Sequence, residues 1–260
     1  MVVDTGAFAT TVDQRLVREI VNDVGVATLT FAEDLVFEDT SVFATDLSVA
    51  ESYIGVPIYG LIGQDILQHT FFGLDYRASE VTAASAVPEL PPPAFANETG
   101  IDVPYQLEQQ LPVVEVDIGG KKARLIADTG SGVKLLRESF VSRELLDAGL
   151  GGYWWHTSYG SDPGVIVRLP SVVVGGHEVA QSWAVVVPDD YHLKPVFEGL
   201  GVEVDGILGY PLYRRCYVAV HGPESKYRFY PYDALPHVDG REWDRAGLEI
   251  RREKDAVLID

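Results

Sequence analysis

The sequence predicts a mainly β protein of two pseudo-symmetric lobes with short helices and a cleft between them. Three observations predict this. Valine-rich stretches, with 13 Tyr and 25 Gly, favour strands and tight turns over long helices. The segment "VPELPPPAFANETG" at 87–100 divides the chain with consecutive prolines that cannot join a central sheet ladder. On each side of it the same features recur in the same order, the mark of a duplication. A chain of 260 residues holds one large domain or two lobes, and either can bury a sizeable core.

The first copy opens on "MVVDTGA", and "TVDQRLVREIVNDVG" follows. There Val12, Leu16, Val17, Ile20, Val21 and Val24 fall at helical spacing, with Gly25 as a stop. "ATLTF" and "SVFATDLSV" read as strands, Leu61-Ile62-Gly63 is an apolar pair capped by glycine, and "FFGLDYRASEVTA" closes the unit. The second copy has "LIADTGSG", then "LLRESFVSRELLDAGLGG" as a short helix ending in glycines. Strand-like "GVIVRLPSVVVGG" and "SWAVVVP" follow, then Ile207-Leu208-Gly209 and the closing "CYVAVHGPESKYRFYPY". From Asp4 to Gly63 is 59 residues, and from Asp128 to Gly209 is 81. The excess falls mostly in "YWWHTSYGSDPG" and "PDDYHLKPVFEGLGVEV", both loop-like.

Charge and composition narrow the function. With 39 acidic against 20 basic side chains the formal net charge is −19, a field that repels nucleic acid and anionic lipid. Such a surface repels itself less at low pH, which fits work in mild acid. No apolar run approaches the roughly 20 residues of a membrane-spanning helix. Cys216, the one cysteine, sits in "RRCYVAV" and reads as a small buried apolar residue. The six histidines show no metal-ligand spacing, and no G-x-S-x-G, phosphate-loop or dinucleotide pattern occurs. No metal and no cofactor is expected. Asp189-Asp190 reads as a solvated pair, and "NET" at 97–99 fits an N-glycosylation acceptor triplet.

The paired motif carries the chemistry. An aspartate between apolar residues and Thr-Gly sits where a strand meets a tight turn. Glycine permits the close approach, and threonine supplies a hydroxyl for local hydrogen bonds. If the two copies are related by a pseudo-twofold axis, Asp4 and Asp128 meet on it. Two carboxylates in hydrogen-bond range share one proton and titrate as a coupled pair. One then acts as base on a water while the other donates to a carbonyl oxygen.

On these residues the chain resembles the aspartic proteases, specifically the bacterial retropepsin-like type with two lobes and two DTG motifs in one polypeptide. "VVDTGA", "LIADTGSG", the stretches after them, "LIG" and "ILG" carry the resemblance, which spans roughly 2–82 and 111–232. It implies pepsin- or retropepsin-like β lobes around an active-site cleft and an endopeptidase acting on peptide or unfolded-protein substrates. It makes Asp4 and Asp128 the catalytic pair, with Thr5 and Thr129 interlocked beneath them. Gly6 and Gly130 form the turns, and Ala7 and Ser131 fill the small-residue position. Leu61, Ile62, Gly63, Ile207, Leu208 and Gly209 pack behind the loops. "YWWHTSYGSDPGVIV", with Tyr159, Gly160 and Gly164, is either a flap over the substrate or an ordinary surface loop. "FAEDLVFED" in the first lobe lacks glycine, which argues against a symmetric pair of flaps.

The expected organisation is an N-terminal lobe over 1–86, a linker over 87–104, a C-terminal lobe over 105–235 and a tail over 236–260. Together the lobes form an intramolecular pseudo-dimer. Before Asp128 stands a complete hairpin, "LPVVEVDIGGKKARLIADTG", whereas Met1, Val2 and Val3 alone precede Asp4. The first lobe therefore reads as shortened at its front. The tail "AGLEIRREKDAVLID" alternates like two short strands, either the start of a PDZ-like domain or a strand completing an inter-lobe sheet. No signal peptide is recognised, while the resemblance implies a periplasmic or extracellular setting. The alternative function is a protease fold that binds peptides without turning them over, or an inactive truncated fragment.

Overall fold

The hairpin that leads to Asp128 shows how these residues make strands. Leu111–Ile118 and Lys121–Ala127 pair antiparallel, with Val113, Val114, Val116, Leu125 and Ile126 buried. Gly119 and Gly120 turn the chain at φ of 62° and 83°, which side chains resist. The structure, a computed structural model, describes residues 2–17, 26–31, 35–84, 100–157, 160–179, 182–232, 250–253 and 256–259. It is mainly β, with short helices between the strands.

The two halves share a register around their Asp-Thr-Gly motifs. Val2–Val3 runs parallel to Gly60–Ile62, with Val2 opposite Leu61 and Val3 opposite Ile62. Lys121–Ala127 runs parallel to Gly206–Leu208, with Ile126 opposite Ile207 and Ala127 opposite Leu208. Seven residues after each aspartate another strand begins. Thr11–Asp13 lies antiparallel to Gly60–Ile62 and parallel to Phe43–Thr45. Leu135–Arg137 lies in the same relation to Gly206–Leu208 and Trp183–Val187. A helix follows each glycine-capped pair, Gln64–Leu67 in one half and Tyr210–Tyr213 in the other.

Around this repeated centre the halves differ. In the first half the sheet has four strands, and in the second it has ten. The second half adds Leu111–Ile118 beside the strand that delivers the aspartate, and Gly160–Arg168 beside Trp183–Val187. Among the described residues no strand takes either place in the first half. The closing strands of both halves meet in one five-stranded sheet, where Phe71–Asp75 pairs with Cys216–His221. On one set of its positions, Phe72, Leu74, Val218, Val220 and Phe229 join Leu67, Val116, Leu125 and Leu208 in one core that spans both halves, while Phe71, Tyr217 and Ala219 form a smaller cluster. A second core, around Trp155, Tyr191 and Phe197, belongs to the second half.

Several expectations need correction. Val12 is not helical: it is fully buried in the Thr11–Asp13 strand, because pairing with Gly60 and Ala44 outweighs the local spacing. Leu16 lies in a turn, Val17 is helical as expected, and Ile20, Val21, Val24 and Gly25 lie outside the described residues. In "SVFATDLSV" Ser41 ends one strand, Phe43–Thr45 forms another, and Ser48–Ile54 is a helix stopped by Gly55 at φ 78°. "LLRESFVSRELLDAGLGG" opens with the Leu135–Arg137 strand and turns helical only at Arg143–Asp147, where Ser142 accepts from the Leu145 amide. The two segments expected as loops are a hairpin, Gly151–Thr157 with Gly160–Arg168, and the Lys194–Leu200 helix. "FAEDLVFED" also joins a hairpin, Val26–Phe31 with Leu35–Ser41, so lack of glycine does not prevent one there.

The linker expected to run to 104 ends sooner. Residues 85–99 lie outside the described residues, and Ile101–Pro104 pairs with the closing strand Lys226–Pro231. In the tail, Ile250–Glu253 and Ala256–Ile259 form a hairpin with each other.

Candidate active site

The repeated register brings the two aspartates together. Each follows the end of a short parallel pairing, and its amide donates to the neighbouring strand: Asp4 to Ile62 O at 3.1 Å, Asp128 to Leu208 O at 3.0 Å. Each carboxylate is then held by its own turn. Asp4 Oδ1 accepts from the Gly6 and Ala7 amides at 3.0 and 3.1 Å. Asp128 Oδ1 accepts from the Gly130 and Ser131 amides at 2.8 and 3.0 Å. The two side chains hydrogen-bond to one another.

The threonines interlock beneath the pair. Thr5 Oγ1 donates to Ala127 O at 2.6 Å and accepts from the Thr129 amide at 3.0 Å. Thr129 Oγ1 donates to Val3 O at 2.8 Å and accepts from the Thr5 amide at 3.1 Å. Four reciprocal bonds thus cross between the halves, and Thr5 is fully buried. Gly6 and Gly130 face the opposite aspartate. A Cβ on Gly6 would lie 2.6 Å from Asp128 Oδ2, and one on Gly130 the same distance from Asp4 Cγ. Only glycine lets each turn approach the other carboxyl so closely.

The apolar-apolar-glycine stretches lie against the two turns. Ile62, Ile207 and Leu208 are buried, while Leu61 is half-buried. A Cβ on Gly63 would stand 2.6 Å from Ala9 O, and one on Gly209 the same distance from Ser131 O. Sequence reasoning missed the residue after each glycine. The Gln64 amide donates to Ala7 O and the Tyr210 amide to Ser131 O, both at 2.8 Å. Buried Gln64 also donates from Nε2 to Thr5 O at 3.2 Å. Its place directly after the glycine-capped apolar pair in both copies is the signal that could have found it. Tyr227, whose hydroxyl reaches Ala127 O at 3.5 Å, had none, because it arrives from the far end of the chain.

Burial raises the pKa of both carboxyls. For Asp128 the adjacent Asp4 charge adds to burial and carries it well above the ordinary aspartate value. For Asp4 the hydrogen bonds from Asp128, Gly6 and Ala7 partly oppose the rise. Like charges this close do not both ionise readily, so the pair retains a proton well into the range where free aspartates have lost theirs. Tyr76, Tyr213 and Tyr227 stand nearby with phenols raised by burial, so they stay neutral.

Of the flap residues, Gly160 and Gly164 lie on a hairpin strand, and Tyr159 lies outside the described residues. Gly164 packs on the sheet, where a Cβ would meet Val185 Cγ1 at 2.6 Å. Among the described residues no group of histidine, cysteine and carboxylate side chains has the arrangement of a metal site. Cys216 is buried, and burial pushes its thiol up to about 12. No described helix is long and apolar enough to cross a membrane.

Two comparisons with known proteins return a match. Residues 114–212, which include Asp128 but not Asp4, match a family described as "Aspartyl protease". Among solved structures the chain is similar to a retropepsin-like aspartic protease from Rickettsia conorii, at 15% identity and a TM-score of 0.35. That alignment covers 50% of this chain and 89% of the other. A comparison with curated protein sequences returns no match. The second half thus carries the sequence pattern of an aspartyl protease family.

Proposed function

We propose that this chain is a two-lobed aspartic endopeptidase, its lobes meeting as an intramolecular pseudo-dimer around Asp4 and Asp128. The observation that carries the reading is the reciprocal pair: two hydrogen-bonded carboxyls, each fixed by two amides of its own turn. The pair shares one proton, and in the microstate with that proton on Asp128 the Asp4 carboxylate is the base. Asp4 takes a proton from a water as its oxygen attacks the peptide carbonyl carbon, and Asp128 gives its proton to the carbonyl oxygen. The resulting gem-diol returns a hydroxyl proton to Asp128, Asp4 passes its proton to the amide nitrogen, and the C–N bond breaks. One water is consumed, and an acid and an amine leave. The Gly151–Thr157/Gly160–Arg168 hairpin closes over the peptide as the flap.

Cleavage of an unfolded protein, followed across pH ~3–7, tests this reading. Asp4→Asn and Asp128→Asn should each lower the rate by about 10²–10⁴-fold, the usual worth of a general acid or base. Peptide binding without cleavage by the unchanged chain would favour the binding module instead. Cleavage that survives either substitution would exclude the paired site.

A further inference from the structure

The flap hairpin carries a side-chain cluster that the proposed chemistry does not use. At its inner end Gly160–Arg168 is paired on both sides, since residues 165–168 also pair with Trp183–Val187. Further out, from the Tyr153–Gly164 pair to the Thr157–Gly160 pair, the hairpin is a two-stranded arm. A two-stranded arm is marginal in water without something packed beside it. The segment between Trp183–Val187 and the Lys194–Leu200 helix supplies part of that support, through Tyr191, whose ring lies 6.2 Å from that of Trp155, and through the polar contacts of His192.

His192 grips both strands of the arm. On one strand, Asp162 Oδ2 accepts from the His192 backbone amide at 3.1 Å and pairs with its ring Nδ1. Gly160, at φ 155°, lies flat against the ring, and a Cβ there would stand 3.3 Å from His192 Cγ. On the other strand, Thr157 Oγ1 meets Nε2 at 2.6 Å, and the Trp155 ring lies 4.8 Å from the imidazole centroid. The His192 and Asp162 side chains are only 14% and 15% exposed, unusual for ionisable groups near a hairpin tip. A polar pair withdrawn from water at such a place needs its partners held in fixed geometry.

We propose that His192, oriented by Asp162, is the positioning residue that latches this arm at a fixed height for peptide binding. The proposal rests on reading the hairpin as the flap. His192 touches no reacting atom. It acts by ordering the arm in advance, so that a bound peptide does not bear the whole cost of ordering it. Loss of the latch therefore acts on KM more than on kcat.

Hydrogen exchange on the chain, with and without His192→Ala or Asp162→Ala, tests the latch without requiring turnover. Exchange at the amides of 153–164 should rise about ten-fold or more, while the amides of 111–127 stay protected. His192→Asn, which keeps a donor towards Asp162, should restore much of the protection. The double variant should exchange no faster than the faster single one, since the two residues act together. In peptide cleavage each alanine variant should raise KM several-fold with a smaller change in kcat. Unchanged exchange in the arm would overturn the proposal, as would faster exchange throughout the chain. Faster exchange in the arm with an unchanged KM would overturn its role in binding. If the unchanged chain cleaves nothing, the protease reading fails, and exchange alone decides the latch.

Discussion

Around the aspartates the two halves are near copies, yet the residues beneath each copy differ in kind. Thr10 and Lys134 occupy matching places, six residues past Asp4 and Asp128, and both are buried. Thr10 closes a local circuit, donating to Asp65 Oδ1 at 2.8 Å and accepting from the Gly63 amide at 3.1 Å. Lys134 instead carries an ammonium into the core, where it meets Ser182 Oγ. Three residues further on, buried Asp13 pairs with Arg15 at 2.6 Å, whereas Arg137 pairs with Asp205 at 3.0 Å. Beside the turn, Phe8 is exposed in one half and Gly132 stands in its place in the other. Backbone register, not a shared set of supporting side chains, is what makes the two copies equivalent.

The glycines of the motif offer the sharpest way to break this equivalence. Gly6→Ala and Gly130→Ala would drive a methyl onto the opposite carboxyl. Each should cost about 1–3 kcal/mol of stability by overpacking and, by displacing a carboxylate, about 10²-fold in activity. A Cβ on Gly132 meets nothing within 4 Å, so Gly132→Ala should change little. Denaturant titration and cleavage rates measured side by side would separate the three.

The threonines test whether the interlock is symmetric. Thr5→Val leaves the Thr129 amide without its partner and Ala127 O with the longer bond from the Tyr227 hydroxyl, in fully buried surroundings. Thr129→Val does the same to the Thr5 amide and Val3 O at a half-buried position. Both should destabilise by about 1–3 kcal/mol, Thr5→Val the more, as thermal unfolding would report.

Lys134 predicts an opposite sign. Burial, with the nearby Arg215 charge, brings its pKa down from 10.5 to about 7 in the folded chain. Between about pH 7 and the unfolded value, the unfolded chain binds the proton and the folded chain does not, so stability from this group rises with pH. Below pH 7 the folded chain bears the full penalty of a buried ammonium. Lys134→Met should therefore stabilise the protein by a few kcal/mol, most below pH 7 and less as pH approaches 10. Thr10→Val in the other half should destabilise it by about 1 kcal/mol. Equal effects from the two substitutions would contradict the difference drawn here.

Much of the centre was legible in the sequence because its signals are local. The glycine turn at 119–120, both Asp-Thr-Gly turns and the closing hairpins each declare themselves within a few residues. What failed was decided at long range. Val12 sits at helical spacing but is claimed by Gly60 and Ala44, distant in sequence. Ile101–Pro104 reads as linker because its partner strand begins at Lys226. Tyr227 joins the site through a contact that no local pattern encodes, and His192 reaches the hairpin across 30 residues from Asp162.

Carboxyl titration by ¹³C NMR, in the unchanged chain and in Asp128→Asn, tests most directly whether Asp4 and Asp128 share one proton. The account predicts two aspartate carboxyls that titrate in separate, coupled steps, the later one well above the ordinary value of 3.8. In Asp128→Asn the later step should vanish. Two carboxyls that titrate independently near the ordinary value, unaltered by the substitution, would contradict it.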